Sequence, residues 1–203
     1  NREQPGEFNF RETHDLGVKP IIALLPGSRK QEIKKMLAVM LSLVDDYPDY
    51  QFVIAGAPSQ DYSFYESFIK SKKVKFIANK TYDLLNISTA ALVTSGTATL
   101  ETALFKVPRV VCYKGSAISY HIAKRIITLK FISLVNLVMD KEVVTELIQN
   151  DFTKKRLKEE LDKILDSENR KKIFLEYYQL EKTLGGKGAS EKTAGLIYKS
   201  AQA

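Results

Sequence analysis

A proline–glycine–serine–arginine segment, residues 26–29, follows a run of five apolar residues and precedes a helical pattern. Glycine lets the backbone approach a ligand closely, and we expect Ser28 to cap the helix, with Glu32 near a capping position. Unpaired N–H groups at a helix start attract an anion, and the planar guanidinium of Arg29 binds phosphate oxygens. Gly27, Ser28 and Arg29 therefore predict a phosphate site. The alternative is a capped turn with an exposed arginine.

A second segment of the same character occupies residues 95–101. Ser95, Gly96 and Thr97 open a predicted helix and would offer hydroxyl and N–H donors to an anion. Glu101 lies one turn into that helix, where a carboxylate can accept hydrogen bonds from both hydroxyls of a ribose. The alternative is an acid that simply stabilises the helix dipole. Two such helix starts together favour a nucleotide diphosphate as the ligand.

Residues 133–149 form a third polar cluster. Asn136 can offer both a donor and an acceptor to a sugar. Glu142, Glu146 and Gln149 have the spacing of one helical face, for which the alternative is a merely solvated surface. The common nucleotide motifs, G-x-G-x-x-G after a strand and G-x-x-x-x-G-K-[ST], do not occur.

Short apolar runs alternate with helical patterns along most of the chain. The runs predict strands at residues 21–25, 51–55, 74–77, 90–94, 109–113 and 131–134. The patterns predict helices at residues 33–44, 62–72, 81–88, 97–106, 116–129, 153–165, 168–184 and 190–202. Strands that are apolar throughout and alternate with helices form a parallel sheet covered on both faces. We therefore predict an α/β fold with a doubly wound, Rossmann-like sheet and extra C-terminal helices.

Ligands in such folds bind outside the carboxyl ends of the strands. This edge would carry both predicted phosphate segments, together with residues 78–81 and 113–116. We predict an irregular interdomain linker at residues 1–19, one domain at 20–150, and helices that close it at 151–203. The first residues are neither an initiator methionine nor a signal peptide, so we expect a fragment of a longer protein.

Composition excludes several classes of protein. The 203 residues contain one cysteine and two histidines, too few for a disulfide framework or a multi-cysteine zinc site. No apolar run is long enough to span a membrane. Lys and Arg exceed Asp and Glu by seven, which favours anionic partners. Residues 113–130 carry four basic side chains and no acidic one, so they are either a phosphate- or membrane-facing patch or a solvated surface. The pattern of a nucleic-acid module is absent.

Taken together, these segments resemble those of the lipid-A-disaccharide synthases, from about Ile22 to Gln149. The resemblance is carried by LLPGSRKQEI at residues 24–33, TSGTATLE at 94–101, AKR at 123–125, SLVNL at 133–137 and EVVTELIQ at 142–149. Their order and spacing are specific together, although each segment alone is weak. The chain departs from the family at Val135, where proline is usual, and we expect this change to loosen the turn that aims Asn136.

The resemblance implies the C-terminal, donor-binding domain of a GT-B glycosyltransferase, whose two domains are both Rossmann-like. Such an enzyme transfers 2,3-diacylglucosamine from UDP to 2,3-diacylglucosamine 1-phosphate, giving lipid A disaccharide phosphate and UDP. It implies no metal and no cofactor. The general base is then expected in the other, N-terminal domain, so we predict that the isolated chain is inactive although it binds UDP.

The resemblance also assigns roles to individual residues. Those expected at the diphosphate are Gly27, Ser28, Arg29, Ser95, Gly96 and Thr97, with Arg29 stabilising the leaving group. Glu101 is expected at the ribose, and main chain near Ile77 and Ala78 at the uracil. The residues expected to face the donor sugar or its phosphate are Asn136, Glu142 and Gln149.

The implied setting is lipid A biosynthesis for lipopolysaccharide in a Gram-negative bacterium. A cytoplasmic enzyme with acylated substrates is expected to associate peripherally with the inner membrane, here through residues near 113–130. No nucleic-acid partner is expected, and a homodimer stays open. Two alternatives remain: another UDP-sugar enzyme of GT-B architecture, such as a UDP-N-acetylglucosamine 2-epimerase or the peptidoglycan N-acetylglucosaminyltransferase, and a non-catalytic nucleotide-binding module.

Overall fold

Six parallel strands lie at the centre of the computed structural model, which describes residues 5–69, 73–115, 130–185 and 188–201. The strands are β1 (Ile21–Leu25), β2 (Gln51–Gly56), β3 (Val74–Ala78), β4 (Ser88–Thr94), β5 (Arg109–Tyr113) and β6 (Glu146–Ile148). Their order in the sheet is β3-β2-β1-β4-β5-β6, and every pair is parallel. The predicted α/β fold with a doubly wound sheet is confirmed.

Helices cover both faces of this sheet. They are α1 (Pro5–Thr13), α2 (Lys30–Met40), α3 (Tyr62–Ile69), α4 (Thr81–Asn86), α5 (Thr97–Leu104), α6 (Leu134–Met139), α7 (Lys154–Leu165), α8 (Ser167–Thr183) and α9 (Ala189–Ala201). A 3₁₀ helix, Leu41–Asp46, extends α2. Among the described residues, no helix is both long and apolar enough to cross a lipid bilayer.

Alternate residues of β1 face two separate hydrophobic layers. Ile22 and Leu24 pack with Met36 of α2 in one layer, whereas Ile21 and Ala23 belong to the layer that contains α4. Every residue of β1 is buried, because a central parallel strand has helices on both sides. A third cluster joins β5 and α6 to α8. This packing makes the carboxyl ends of the strands a rigid edge.

The strand order creates a switch point beside β1. The chain moves from β1 outward to β2 and β3, and then returns to place β4 on the other side of β1. Connections that leave neighbouring strands in opposite directions open a crevice at the carboxyl ends of those strands. Residues 26–29 follow β1 and residues 95–97 follow β4, so the fold places the two predicted phosphate segments on either side of that crevice.

Three predictions of local structure were wrong. Residues 142–149 contain β6 instead of a helix, because Glu146 and Leu147 pair with β5 of the sheet and that pairing overrides the helical spacing. No strand forms at residues 131–134, where the backbone turns into α6. The predicted irregular linker contains α1, whose Phe10 packs against the second core layer. The helix predicted at 116–129 lies outside the described residues.

The C-terminal helices differ in how they contact the sheet. Helix α7 buries Leu157 and Leu161 in the first core layer, and α8 buries Tyr177 and Leu180 in the third. The described side chains of α9 are exposed along its whole length. Helices α7 and α8 therefore belong to the body of the fold, whereas α9 adds no residue to its cores.

Candidate functional site

A cleft of about 610 Å³ opens at the switch point. It lies beyond the carboxyl ends of β1, β2 and β4. Its lining consists of Leu25, Gly27, Ser28, Glu32, Glu101 and residues 55–58, 79–83 and 94–98. The structure thus brings residues 27 and 28 together with residues 95–97 and Glu101. In the sequence, strands β2, β3 and β4 lie between these two segments. We call this space the main cleft.

The first wall of the main cleft is the turn between β1 and α2. Gly27 has φ +97°, and a Cβ atom there would collide with the carboxylate of Glu32, so only glycine fits. The first backbone bond of the helix runs from Ile33 N to Arg29 O, at 2.9 Å. The amides of residues 30–32 therefore have no acceptor within the helix and can face an anion.

The predicted cap of α2 was wrong. The N-cap position is Arg29, and no side chain caps the helix. Ser28 lies one residue earlier, exposed, and its main-chain oxygen accepts a hydrogen bond from the Ser59 hydroxyl at 2.9 Å. Ser28 thus joins this turn to the loop after β2, and its own hydroxyl is on the main cleft.

The second wall is the turn from β4 into α5. Gly96 is the N-cap in an extended conformation, with open space where a Cβ would lie. Thr99 N donates to Gly96 O at 3.1 Å, so the amides of Thr97 and Ala98 precede the first helical bond. Ser95 differs from its prediction, because its amide donates to Cys112 O and its hydroxyl to Ile132 O, both at 3.0 Å. Ser95 therefore anchors the turn, and Thr97 and Ala98 present the available amides.

Thr94 ends β4 directly before the second wall, and sequence reasoning missed it. Its side chain is only 4% exposed and lines the main cleft. The Oγ1 atom has no hydrogen-bond partner in the described part of the chain. Buried hydroxyls are normally paired, so this one is available to hydrogen-bond a ligand in the cleft. The available signal was a hydroxyl residue that ends a buried strand at the switch point.

The outer end of the main cleft is formed by the loop after β3. Ile77 is buried and Ala78 is exposed, and both lie outside the lining, to which residues 79–83 contribute instead. Asn79 has φ +58°, a conformation that asparagine tolerates. Tyr82 is half exposed and stacks on Phe105, with ring centroids 5.2 Å apart. An aromatic ring held in this way offers a flat surface to a base.

Arg29 lies apart from the main cleft. It lines an adjoining space of about 300 Å³, which we call the basic cleft, together with Lys30, Gln31, Glu32, Lys35, Tyr113, Lys114 and Gly115. Glu32 lines both clefts. The structure therefore does not place Arg29 among the residues that line the main cleft, where the diphosphate was predicted.

Asn136 is a structural residue, contrary to the prediction that it faces a sugar. It is fully buried, and its amide nitrogen donates to Val144 O at 2.8 Å and to Glu146 Oε1 at 2.9 Å. Its oxygen accepts from the amides of Val143 and Val144. All its hydrogen-bonding groups are therefore used inside the protein. The amides of Ile132 and Ser133 bond to the Glu146 carboxylate, at 2.8 and 2.9 Å, which holds the turn before α6.

Val135 does not loosen this turn as we expected. Ser133 caps α6 by accepting the Asn136 amide, and Val135 is fully buried in the third core cluster. Glu142 is exposed and Gln149 is half buried, and neither lines either cleft. Gln149 has φ +54°, and its backbone N–H donates a hydrogen bond to Tyr113 O at 2.7 Å. The three polar side chains predicted on one helical face do not share one.

No group of three His, Cys, Asp or Glu side chains is arranged to hold a metal ion within the described ranges. Cys112 is a buried core residue of β5, and burial raises the pKa of its thiol. His14 packs against Phe10, and His121 lies outside the described residues. What the main cleft offers chemically is therefore backbone amides, hydroxyls, the ammonium group of Lys80 and three carboxylates, those of Glu32, Asp83 and Glu101.

Comparison with known proteins adds a family to this geometry. Residues 3–198 match the family model described as lipid-A-disaccharide synthetase. A lipid-A-disaccharide synthase of Syntrophus aciditrophicus is 40% identical over 181 residues, which cover 85% of this chain and 47% of that protein. One of Coxiella burnetii is 36% identical over 185 residues, covering 89% and 49%. The chain thus spans about half the length of the curated relatives it matches.

The fold is also that of a known glycosyltransferase domain. The C-terminal domain of a glycosyl transferase group 1 family protein from Francisella tularensis superposes with a TM-score of 0.58. The match covers 93% of this chain and 95% of that one, at 16% sequence identity. The chain therefore has the Rossmann-like fold of a GT-B C-terminal domain.

Proposed function

Because this chain belongs to the lipid-A-disaccharide synthetase family, we propose that it is the donor-binding half of a glycosyltransferase of lipid A biosynthesis. The donor would be UDP-2,3-diacylglucosamine and the acceptor 2,3-diacylglucosamine 1-phosphate, with lipid A disaccharide phosphate and UDP as products. Residues 20–150 would form the donor domain and residues 151–203 its closing helices, while residues 1–19 would lead from the other half of the enzyme.

The observation that carries this proposal is the convergence of three features on the main cleft. The starts of α2 and α5 both present amides without intrahelical acceptors, and Thr94, whose hydroxyl has no partner among the described residues, lines the same cleft. Two helix starts supply partial positive charge at one place, which suits a diphosphate better than a single phosphate. The cleft volume of about 610 Å³ falls in the range of small-molecule sites.

The remaining lining suits the other parts of a uridine nucleotide. Residues 79–83, with the stacked ring of Tyr82, would hold the uracil in place of Ile77 and Ala78. Glu101 is half buried one turn into α5 and would accept hydrogen bonds from the ribose. Gly27, Ser28, Gly96 and Thr97 would then lie at the diphosphate. Asn136, Glu142 and Gln149 take no part in this arrangement.

Transfer of the sugar leaves negative charge on the departing diphosphate. Amides that already point at that position stabilise the charge without rearranging, which lowers the barrier. We infer that Arg29 adds to this effect by turning from the basic cleft past Glu32 when the nucleotide binds. Its guanidinium is exposed, and no hydrogen bond holds it among the described residues. The base that deprotonates the acceptor hydroxyl would come from the half of the enzyme that this chain does not span.

Titration calorimetry of the 203-residue chain with UDP tests this proposal. We expect binding by the wild type, about tenfold weaker binding by Arg29→Ala, and no more than a twofold change in Lys34→Ala. Lys34 is an exposed α2 residue outside both clefts and serves as the matched control. A chain that does not bind UDP would contradict the donor site. An unaltered Arg29→Ala protein would remove only the role of Arg29.

Product analysis separates the enzyme classes. The full-length protein should form the disaccharide and release UDP, whereas the 203-residue chain alone should not turn over. Turnover by the chain at the full-length rate would contradict the assignment of the base. If the full-length protein inverts UDP-N-acetylglucosamine at C2, the result would favour an epimerase. If it binds UDP but transfers no sugar, the result would favour a nucleotide-binding module.

Peripheral membrane association is proposed from the basic residues near 113–130. Lys114 and Lys130 are exposed, and residues 116–129 lie outside the described part of the chain. Cationic surface attracts a protein to anionic lipid. Sedimentation with anionic liposomes should detect binding that reversal of charge at Lys124 and Arg125 removes. Unchanged sedimentation of that variant would show that the segment has no such role.

A further inference from the structure

We propose that the basic cleft binds a second phosphate group, the phosphomonoester of a sugar phosphate, separately from the nucleotide diphosphate. The identity of the sugar phosphate as the acceptor rests on the function proposed above. The affinity of the cleft for a phosphomonoester rests only on the residues that line it.

The basic cleft is built from two elements that meet at the ligand-binding edge of the sheet. The first turns of α2 form one side, and the end of β5 with Lys114 and Gly115 forms the other. Lys35 crosses between them, because its Nζ donates to Gly115 O at 3.2 Å. This hydrogen bond holds an ammonium group in the cleft. The ring of Tyr113 lies close over Gly115, where a Cβ atom would come within 2.8 Å of its hydroxyl.

The charge of this lining is strongly unbalanced. Three cationic side chains, those of Arg29, Lys35 and Lys114, share the cleft with a single carboxylate, that of Glu32. Lys30 also lines the cleft, but its ammonium group lies 6.0 Å from the centre of the Phe64 ring. No carboxylate in the described ranges forms an ion pair with any of these cations. Several lysines elsewhere do form ion pairs, for example Lys106 with Glu181 at 2.6 Å and Lys154 with Asp46 at 2.9 Å.

Cations collected in one cleft repel one another, and a cleft lined by one sign of charge concentrates ions of the other sign. A phosphomonoester carries between one and a half and two negative charges at neutral pH, roughly. That charge suits a lining with a net excess of two cations. A surplus persists when Arg29 turns to the diphosphate, because Lys35 and Lys114 still face one glutamate.

The position of the basic cleft suits an acceptor better than a second part of the donor. Glu32 lines both clefts, so a ligand in each would be separated by little more than that side chain. The carboxylate would also keep the two anionic groups apart, since it repels both. A phosphate in the basic cleft would thus hold its sugar beside the donor without competing for the helix starts of the main cleft.

Binding measurements on the full-length protein test the inference. The variant is Lys35→Gln with Lys114→Gln, and the matched control is Lys155→Gln with Lys172→Gln, two exposed lysines of α7 and α8 with the same change in charge. The probes are glucosamine 1-phosphate, inorganic phosphate, UDP and vesicles of phosphatidylglycerol. We expect the first variant to bind glucosamine 1-phosphate at least about tenfold more weakly, with UDP binding within twofold of wild type. The control should match wild type for every probe.

Three results would overturn the inference: wild type that does not bind glucosamine 1-phosphate, a variant that binds it as tightly as wild type, and a variant that loses UDP binding equally. Lost vesicle binding with intact glucosamine 1-phosphate binding would also overturn it, in favour of a membrane contact.

Weakened binding of inorganic phosphate in parallel with the sugar phosphate would support recognition of the phosphate itself. Failure of wild type to bind UDP overturns the proposed function instead, and the lysine comparison still decides the basic cleft. Thermal unfolding checks folding, and Lys114→Gln alone replaces the double variant if that one unfolds.

Discussion

Replacing Thr94 by valine should change stability and nucleotide binding in opposite directions. The Thr94 hydroxyl is buried without a partner beside the main cleft. Valine has nearly the same shape and suits a strand. In the chain without ligand, the substitution removes a polar group that makes no hydrogen bond. In the UDP complex, it removes a donor to the diphosphate.

The magnitudes follow from the cost of burying polar groups. An unpaired buried hydroxyl costs about 1–3 kcal/mol, so Thr94→Val should raise the free energy of unfolding by at least about 1 kcal/mol. For a chain of this size, that corresponds to a rise in Tm of about 2–4 °C. A hydrogen bond to a charged phosphate contributes about 2 kcal/mol, so the Kd for UDP should rise about 30-fold.

Urea unfolding and titration calorimetry of the 203-residue chain measure both effects. Thr102→Val is the matched control, because Thr102 is equally buried but its hydroxyl donates to Ala98 O at 2.6 Å. The control should lose about 1 kcal/mol of stability and bind UDP as wild type does. The reasoning is refuted if Thr94→Val is destabilised like the control, or if it binds UDP unchanged.

Three further substitutions test the structural assignments. Asn136→Ala should lower the free energy of unfolding by about 3 kcal/mol, because the four hydrogen bonds of the side chain are lost. The affinity for UDP should change less than twofold. A selective loss of UDP binding would contradict a structural role for Asn136. Arg109→Met should raise the urea midpoint by the equivalent of about 2 kcal/mol. The buried guanidinium donates a hydrogen bond only to Tyr177 among the described residues, and two of its nitrogens are unpaired. A lower midpoint would refute this prediction. Burial raises the pKa of the Tyr47 hydroxyl, which donates to Asp162, so the folded state keeps a proton that the unfolded state loses above about pH 10. The free energy of unfolding of the wild type should therefore fall above that pH, by up to about 1.4 kcal/mol per pH unit from this group. In urea titrations, the difference in this free energy between wild type and Tyr47→Phe should narrow between pH 8 and 11. A difference that stays constant would count against the linkage.

Most of the sheet could be predicted from local patterns. Residues 21–25 and 110–112 are apolar runs, and such runs form buried parallel strands wherever helices alternate with them. The strand β6 could not be predicted in this way. It has three residues, and they are extended because β5 offers hydrogen bonds at its edge. Local spacing there indicated a helix, and long-range pairing decided otherwise.

The candidate site was predicted in its position more accurately than in its individual contacts. Gly27, Ser28, Gly96, Thr97 and Glu101 all line the main cleft. Their common location follows from strand direction alone, because segments that follow parallel strands meet at one edge. The loop after β3 was predicted one residue too early, since the end of a strand is set by its pairing with the next strand.

The order of strands and helices, and hence the edge that carries the ligand site, is encoded in local runs of side chains, because apolar periodicity acts over a few neighbouring residues. Which polar groups remain available at that edge depends on partners far away in the chain. The Ser95 hydroxyl donates a hydrogen bond to a residue 37 positions away, and the Asn136 side-chain nitrogen donates to residues 8 and 10 positions away. The Thr94 hydroxyl has no partner in the described structure. Arg29 faces the basic cleft because α2 packs beside the end of β5. Hydrogen bonds and side-chain directions are settled only when distant segments meet, so only the tertiary structure could assign them.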